Sequence, residues 1–203
     1  MKLPFKSRLL ILSALAVTVA MKPVDPLPIG SKMPATDVKL TDVSGKIVTL
    51  KNAVNKNGLL VMFSSNACPF VVKNQRRTIR IANLALKKQI GVVIVNSNEA
   101  QRAGEDSFEE MKAYAAEQKY DWSYVLDKNS EVADAFGATR TPECFLFNSD
   151  RVLLYHGAID NNTGDEEAVT REHLSIAIDE MLDGKPVSVP ESKSVGCSIK
   201  RKK

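Results

Sequence analysis

The sequence has few of the residues that build metal sites and two-cysteine redox motifs. Its 203 residues include three cysteines and two histidines. No Cys-x-x-Cys pair occurs, because Val71 stands where a second cysteine would follow Cys68. No pair of cysteines has the spacing of zinc ligands, so the common zinc modules are excluded and we expect neither a metal nor a cofactor.

Charge of one sign and long apolar runs are also scarce. The net charge is +4, and the basic run Lys200–Lys203 is too short to indicate nucleic-acid binding. The apolar run Leu9–Ala20 is shorter than the roughly 20 residues that a membrane-spanning helix needs. It follows three basic residues, a pattern typical of an export signal: Lys2, Lys6 and Arg8.

We therefore expect residues 1–20 to be a signal peptide, with an uncleaved N-terminal anchor as the alternative. Export predicts a periplasmic or extracellular protein that meets a membrane only if this segment is retained. In such an oxidising compartment a reactive thiol acts as an oxidant or needs an external source of electrons.

Hydrophobic residues make up 44% of the chain, enough for one folded domain. Residues 22–34 are rich in proline and predict an extended linker. After a hairpin over 38–50, the pattern predicts strands at 59–63, 91–95, 122–126, 144–147 and 152–155. Helices are predicted at 69–88, 107–119, 130–135 and 171–182. This order indicates one domain over 27–184, a mixed sheet between helix layers, and a tail over 185–203.

Several details of the helices follow from spacing and capping rules. The apolar face of the first long helix is predicted to comprise Val72, Ile79, Ala82 and Leu86. Its cationic residues are expected to form a solvated face, or alternatively a positive field that favours a thiolate: Lys73, Arg76, Arg77 and Arg80. The N-caps of the three later helices are predicted to be Asp106, Ser130 and Thr170. The last two of these helices are predicted to end at Gly137 and Gly184.

Cys68 follows a predicted strand and a polar turn, and Pro69 suits the first position of a helix. Cys68 is therefore predicted to be the helix N-cap, where unpaired N–H groups and the helix dipole lower a cysteine pKa. Ser65 and Asn66 in the turn either donate hydrogen bonds to the thiolate or only shape the turn. The alternative interpretation is that Cys68 is a small buried hydrophobe.

The strand, turn and Cys68-Pro69 helix, followed by Thr141-Pro142 before an apolar strand, resemble the thioredoxin fold. Other segments are similar to the peroxiredoxin-like redoxins, over a span of about 27–200: 65–71, 91–98, 106–111, 141–147, 155–160 and 195–200. The resemblance implies an α/β, thioredoxin-like fold whose central mixed sheet is flanked by helices and extended by an N-terminal β-hairpin. It also implies that Pro142 is cis, faces Cys68, and with Thr141 leaves a backbone edge for an extended thiol substrate.

Two enzymatic activities are consistent with this resemblance. A peroxiredoxin would need a proline where Val61 stands and an arginine at or beside Pro142. We therefore predict an antioxidant thiol–disulfide oxidoreductase acting through Cys68 on protein or small-molecule thiols and disulfides. A thiol peroxidase is the alternative, and a non-enzymatic binding module is a further one.

Exchange also needs a second thiol to resolve the mixed disulfide. Cys197, in a tail that we expect to be flexible, is the first candidate, and Cys144 is the second. Cys197 could equally pair with another chain or act as a structural staple, and the pairing stays open at this point. Cys144 is more simply a core residue. His156 and His173 are expected to be structural or exposed.

Overall fold

The computed structural model of the protein describes residues 25–202, so the predicted signal peptide lies outside the described residues. The strands are β1 (Leu40–Asp42), β2 (Ile47–Val48), β3 (Leu59–Ser64), β4 (Gly91–Asn96), β5 (Ser123–Leu126), β6 (Arg140–Thr141), β7 (Glu143–Phe147), β8 (Leu153–Gly157) and β9 (Cys197–Ser198). The helices are α1 (Leu50–Ala53), α2 (Pro69–Lys87), α3 (Phe108–Glu117), α4 (Glu131–Phe136) and α5 (His173–Leu182). Short 3₁₀ turns cover Glu99–Gln101 and Lys128–Ser130.

Seven strands form one mixed sheet in the order β2-β1-β5-β4-β3-β7-β8. β3 runs parallel to β4, and β4 to β5, whereas β7 is antiparallel to both β3 and β8. Every residue of β3 and β4 is buried, which is why both have nearly unbroken apolar sequences. The predicted α/β class, with a central mixed sheet and an N-terminal hairpin, is confirmed.

Hydrophobic cores lie on both faces of the sheet, because alternate residues of a strand point to opposite sides. Leu60 and Met62 of β3 pack on the side of α2, α3 and α5. On the side of α1 and α4, Phe63, Phe136 and Phe145 pack edge to face with one another, with ring centroids 5.2 to 5.6 Å apart. These two layers fix the position of the α2 N-terminus relative to β3 and β7.

The predicted buried face of α2 is wrong in part. Val72 is 55% exposed, Ile79 and Leu86 are half-buried, and of the four predicted residues Ala82 is the one that is fully buried. The buried side chains are Val71, Asn74, Gln75, Arg77, Thr78, Ile81, Ala82 and Ala85. Half of these are polar, so apolar spacing alone assigned the face incorrectly.

Arg77 was expected on a solvated face, and this prediction is also wrong. Arg77 is 1% exposed, and its guanidinium lies 2.7 Å from a carboxylate oxygen of Asp160. It also donates to the carbonyl oxygens of Asn162 and Thr163, at 2.7 and 3.0 Å. A buried arginine is tolerated here because a carboxylate and two carbonyls replace its water shell.

Of the predicted caps of the later helices, two are wrong and one is right in position only. α3 begins after Ser107, whose Oγ accepts from the amide of Glu110, while Asp106 is buried and makes other bonds described below. Ser130 is the N-cap residue of α4, as predicted, but its hydroxyl donates to the carbonyl of Ser97 and caps no helix amide. Thr170 lies outside α5, which begins at His173. In each case a competing polar neighbour, or a later start of the helix, keeps the side chain from capping.

The cap of α4 is instead the carboxylate of Asp127, which accepts from the amides of Val132 and Ala133, both at 3.0 Å. Gly137 and Gly184 have φ of 65° and 69° after α4 and α5. Their predicted role at the helix ends is confirmed, because glycine adopts this conformation without strain.

The segments before and after the domain pack against it. The amide of Leu27 donates to the carbonyl of Phe136, and Met33 is buried, so the described part of the predicted linker packs against the domain. The tail was expected to be flexible, but the structure differs. The amide of Ser192 donates to the carbonyl of His156, and β9 pairs with β6. These backbone bonds hold the tail in one path along the domain.

No helix within residues 25–202 is long and apolar enough to cross a membrane. The same part of the chain contains no cluster of three or more side chains suited to binding a metal ion.

Candidate active site

Cys68 lies at the N-terminus of α2, with Pro69 at the first helical position. Its backbone is extended, with φ of −72° and ψ of 118°, while its carbonyl already accepts from the amide of Val72. Cys68 is 3% exposed. The residue thus has the N-cap geometry that the sequence predicted.

The turn before Cys68 is held by the side chains of Ser65 and Asn66. The Ser65 hydroxyl donates to Asp106 at 2.9 Å and accepts from the amide of Ala67 at 3.2 Å. The Asn66 side chain donates to the carbonyl of Glu105 at 2.9 Å. These bonds support the second of the two expected roles, in which both residues shape the turn.

Asp106 is the residue that organises this turn, and the sequence did not indicate its role. Its two carboxylate oxygens accept from the Ser65 hydroxyl and the Asn66 amide, and from the side-chain amides of Asn96 and Asn98, at 2.7 to 2.9 Å. The carboxylate is buried and fully used in hydrogen bonding. Asn96 is the last residue of the buried strand β4 and Asn98 follows it, and these positions were the available signal for a polar cluster at this edge of the sheet.

Cys197 is brought to Cys68 by the pairing of β9 with β6. Cys197 lies opposite Thr141 in this antiparallel pair. The Cys68 thiol donates to the carbonyl oxygen of the same Thr141 at 3.2 Å. Cys68 and Cys197 line the same small cavity, and both residues are free thiols.

The surroundings shift the two thiol pKa values in opposite directions. Burial raises the pKa of Cys68, but hydrogen bonds from Cys197, the Thr141 side chain and the Val71 amide outweigh burial and lower it. The pKa of Cys197 is raised by its burial, by its hydrogen bond to Cys68 and by the charge of the Cys68 thiolate. Cys68 is therefore the thiol that ionises first, while Cys197 keeps its proton.

The Thr141–Pro142 peptide bond is cis, as the resemblance implies. Thr141 is buried, and its hydroxyl has no hydrogen-bond partner among the described residues while Cys68 is a neutral thiol. That hydroxyl is therefore available to donate to the Cys68 thiolate, which is consistent with its lowering of the Cys68 pKa.

A buried pair, Glu143 and His156, fixes the backbone that leads into β6. One oxygen of Glu143 accepts from the amides of Thr139 and Arg140, at 2.7 and 2.9 Å. The other lies 2.8 Å from Nε2 of His156, whose ring stacks on Phe145. The sequence assigned His156 only a structural or exposed position. Its pairing arises from the antiparallel alignment of β7 and β8, which single-sequence patterns do not specify.

Cys144 lies in β7 opposite Met62 and is fully buried in the core on the α2 side. Burial, followed by the charges of Glu143 and Asp160, raises its pKa. It is not among the residues lining the cavity of about 80 Å³ that contains Cys68 and Cys197. This position matches a core residue, the simpler of its two predicted roles.

Known proteins resemble the chain in both sequence and structure. The Redoxin family model matches residues 28–174. No curated protein matches the chain. A conserved uncharacterized protein from Geobacillus kaustophilus is 37% identical, with a TM-score of 0.80 over 86% of this chain and 93% of its own. A hypothetical protein from Sinorhizobium meliloti, SMc02350, is 35% identical, with a TM-score of 0.77 over 88% and 97%.

More distant structures share the fold. A secreted Mycobacterium tuberculosis disulfide oxidoreductase, described as homologous to E. coli DsbE, is 12% identical with a TM-score of 0.54 over 71% of this chain and 96% of its own. The bacterioferritin comigratory protein of Xanthomonas campestris, described as reducing alkyl peroxides, is 13% identical with a TM-score of 0.54 over 74% and 93%. With a family match over most of its length and a thioredoxin-like sheet, the chain belongs to the redoxin family.

Proposed function

We propose that the chain is a thiol–disulfide oxidoreductase in which Cys68 is the nucleophile and Cys197 the resolving thiol. The observation that carries this proposal is the placement of both thiols on one cavity beside Thr141 at the N-terminus of α2, with pKa values shifted in opposite directions. A nucleophile that ionises readily beside a thiol that stays protonated is the arrangement that exchange requires.

In the first step the Cys68 thiolate attacks one sulfur of a substrate disulfide. A new bond forms between the Cys68 sulfur and that sulfur, the substrate S–S bond breaks, and the second substrate sulfur leaves as a thiolate. The Thr141 hydroxyl and the Val71 amide, which donate to the ionised Cys68 sulfur, stabilise the attacking group.

In the second step Cys197 loses its proton to the solvent and attacks the Cys68 sulfur. The mixed disulfide breaks, the substrate leaves as a thiolate, and a Cys68–Cys197 disulfide forms. Two electrons have then passed from the two cysteines to the substrate. A thiol reductant from outside the chain, either a dithiol protein or a small-molecule thiol, must return the protein to its dithiol state.

Exchange fits the cavity better than peroxide reduction does. In the described part of the chain, Lys200 is the cationic side chain that lines the cavity at Cys68, and no arginine does so. Arg140 is exposed, and Arg102 donates to Asn96 and Asp106. A departing peroxide oxygen would therefore lack the arginine that stabilises it.

We also propose that the chain is exported, on the basis of its N-terminal segment 1–20. One structural neighbour is described as secreted. Mass spectrometry of protein recovered from the periplasmic or extracellular fraction tests this proposal. We expect a mature chain that lacks the segment, whereas a full-length chain in the membrane fraction would support the uncleaved anchor.

Differential thiol alkylation and non-reducing peptide mapping test the exchange reaction. With bis(2-hydroxyethyl) disulfide at neutral pH, we expect the native chain to form a Cys68–Cys197 disulfide that dithiothreitol reverses. A Cys197→Ser variant should instead accumulate a mixed disulfide between Cys68 and the probe. The control Cys144→Ala should behave as the native chain does.

A Cys68 that stays free and unreactive would contradict the proposal and favour a binding module. A disulfide between two chains, seen on a non-reducing gel, would instead assign the resolving role of Cys197 to a neighbouring molecule. Faster turnover of hydrogen peroxide than of the disulfide would favour the peroxidase alternative.

A further inference from the structure

We propose that residues 196–198 occupy the strand edge at which the substrate binds, and that the substrate is an extended peptide with glycine directly before its cysteine. The tail and the substrate then compete for β6. This inference rests on the proposed function, since it concerns the same nucleophile, Cys68.

The first support is the backbone pairing of the tail. Arg140 and Thr141 of β6 pair with Ser198 and Cys197, and within the described residues β6 pairs with no other strand. The amide of Ile199 extends the pairing by donating to the carbonyl of Thr139 at 3.0 Å. An extended peptide that adds to a strand edge makes bonds of this kind.

The second support is the lack of space at Gly196. A Cβ atom on Gly196 would overlap the carbonyl oxygen of Thr141, and it would lie 2.7 Å from the carbonyl carbon of Thr141 and 3.2 Å from the nitrogen of Pro142. Gly196 does not have a positive φ. Glycine is therefore required by the close approach of two backbones, and any peptide following the same path needs glycine at this position.

The third support is the direction of the side chains around Cys197. Cys197 lines the cavity that contains Cys68, Ser198 is exposed, and Ile199 is buried in the core on the α4 side. The edge therefore selects a peptide with four successive positions: glycine, the reacting cysteine, any residue, and an apolar residue. A partner protein that presents this pattern in an extended segment fits the site once the tail has left.

Competition follows from these contacts, because one edge accommodates one strand. The tail beyond β9 is anchored by Lys200, whose amide donates to Asn98 at 2.8 Å, and by Arg201, which donates to Asp134 at 2.6 Å. Weakening the tail should open Cys68 to peptide disulfides. The reaction is the one given above: Cys68 attacks a sulfur of the peptide disulfide, and one peptide leaves as a thiolate.

The test uses the full chain with Cys197→Ser, which cannot resolve, and two probes. One probe is the disulfide-linked homodimer of the peptide Ser-Val-Gly-Cys-Ser-Ile, and the other has alanine in place of glycine. Intact-mass spectrometry follows the mixed disulfide on Cys68. Adding Gly196→Ala to this protein should displace the tail and raise the rate of reaction with the glycine peptide. We also expect the glycine peptide to react about tenfold faster than the alanine peptide.

Gly164→Ala is the matched control, because a Cβ on Gly164 would meet nothing nearer than 3.7 Å. It should leave both rates as they are in Cys197→Ser alone. Arg201→Ala, a change at the surface, should weaken the tail without altering its path and raise the rate with the glycine peptide by a smaller factor. This second variant keeps the test decisive if Gly196→Ala folds poorly.

Bis(2-hydroxyethyl) disulfide separates the two proposals. If it modifies Cys68 while the two peptides react equally, the substrate inference is overturned and the proposed function stands. If neither Gly196→Ala nor Arg201→Ala changes the peptide rate, competition by the tail is overturned. If no disulfide modifies Cys68 in any variant, both proposals fall.

Discussion

Cys68 and Cys197 line one cavity, yet the pKa of Cys68 is lowered and that of Cys197 is raised. The difference arises from what faces each sulfur. The ionised sulfur of Cys68 faces donors on Cys197, on Thr141 and on the Val71 amide of α2, whereas Cys197 faces the charge that develops on Cys68. At the scale of single residues, the reactivity of Cys68 therefore depends on the tail and on β6 as well as on its helix.

This dependence predicts the pH profile of Cys68 alkylation by iodoacetamide, followed by peptide mapping. The thiolate is the reacting form, so the rate should rise with pH through an inflection below the ordinary cysteine pKa of about 8.5. Cys197→Ala removes a donor and should move the inflection to higher pH, which slows alkylation at neutral pH. Cys197→Ser retains a donor and should keep the low inflection. An inflection that is the same in all three proteins would show that Cys197 does not acidify Cys68.

At the scale of elements, α2 is attached to the loop after β8 by Arg77 and Asp160. Both side chains are buried, and removing one partner leaves a buried charge without compensation. We expect Arg77→Ala to lower the free energy of unfolding by about 3–5 kcal/mol in urea denaturation. Arg80→Ala, which removes exposed ion pairs with Glu166 and Glu172 from the same helix, should cost less than about 1 kcal/mol. Equal losses in the two variants would contradict the role given to the buried pair.

The strand β6 depends in a similar way on one carboxylate. Glu143→Gln replaces an acceptor oxygen with a donor group, so that either the amides of Thr139 and Arg140 or the His156 ring loses a partner. We expect a loss of about 1–3 kcal/mol in the free energy of unfolding. Glu110→Gln, at an exposed position on α3, is the control and should change little. A stable Glu143→Gln variant would indicate that His156 and the two amides find other partners.

At the scale of the whole molecule, the sequence predicted what depends on local pattern. The alternation of strands and helices, Cys68 at the start of α2, and Gly137 and Gly184 at helix ends follow from nearest-neighbour rules. The buried polar groups did not follow from them. Arg77 and Asp106 bind residues far away in the chain, and Glu143 binds both its own turn and His156 on the next strand. A pattern of apolar residues predicts that each of the three is exposed.

The tail shows the same limit. The segment 195–200 resembles the redoxins, and that likeness makes Cys197 the first candidate for a resolving thiol. Its place beside Thr141 depends on a strand pairing between residues far apart in the chain. The sequence therefore indicated Cys68 and Cys197 as candidates but not the strand pairing that brings them together.

The same two extended segments that flank the domain also cover the outer edge of the sheet at β8. The amide of Leu153 donates to the carbonyl of Ser31, and the amide of His156 donates to the carbonyl of Pro190. At the other edge, β2 has two residues, too few to recruit another strand. Proteolytic clipping of the tail would thus uncover both a free strand edge and an unpartnered Cys68. We expect the clipped molecule to self-associate through this edge and to cross-link between copies through Cys68.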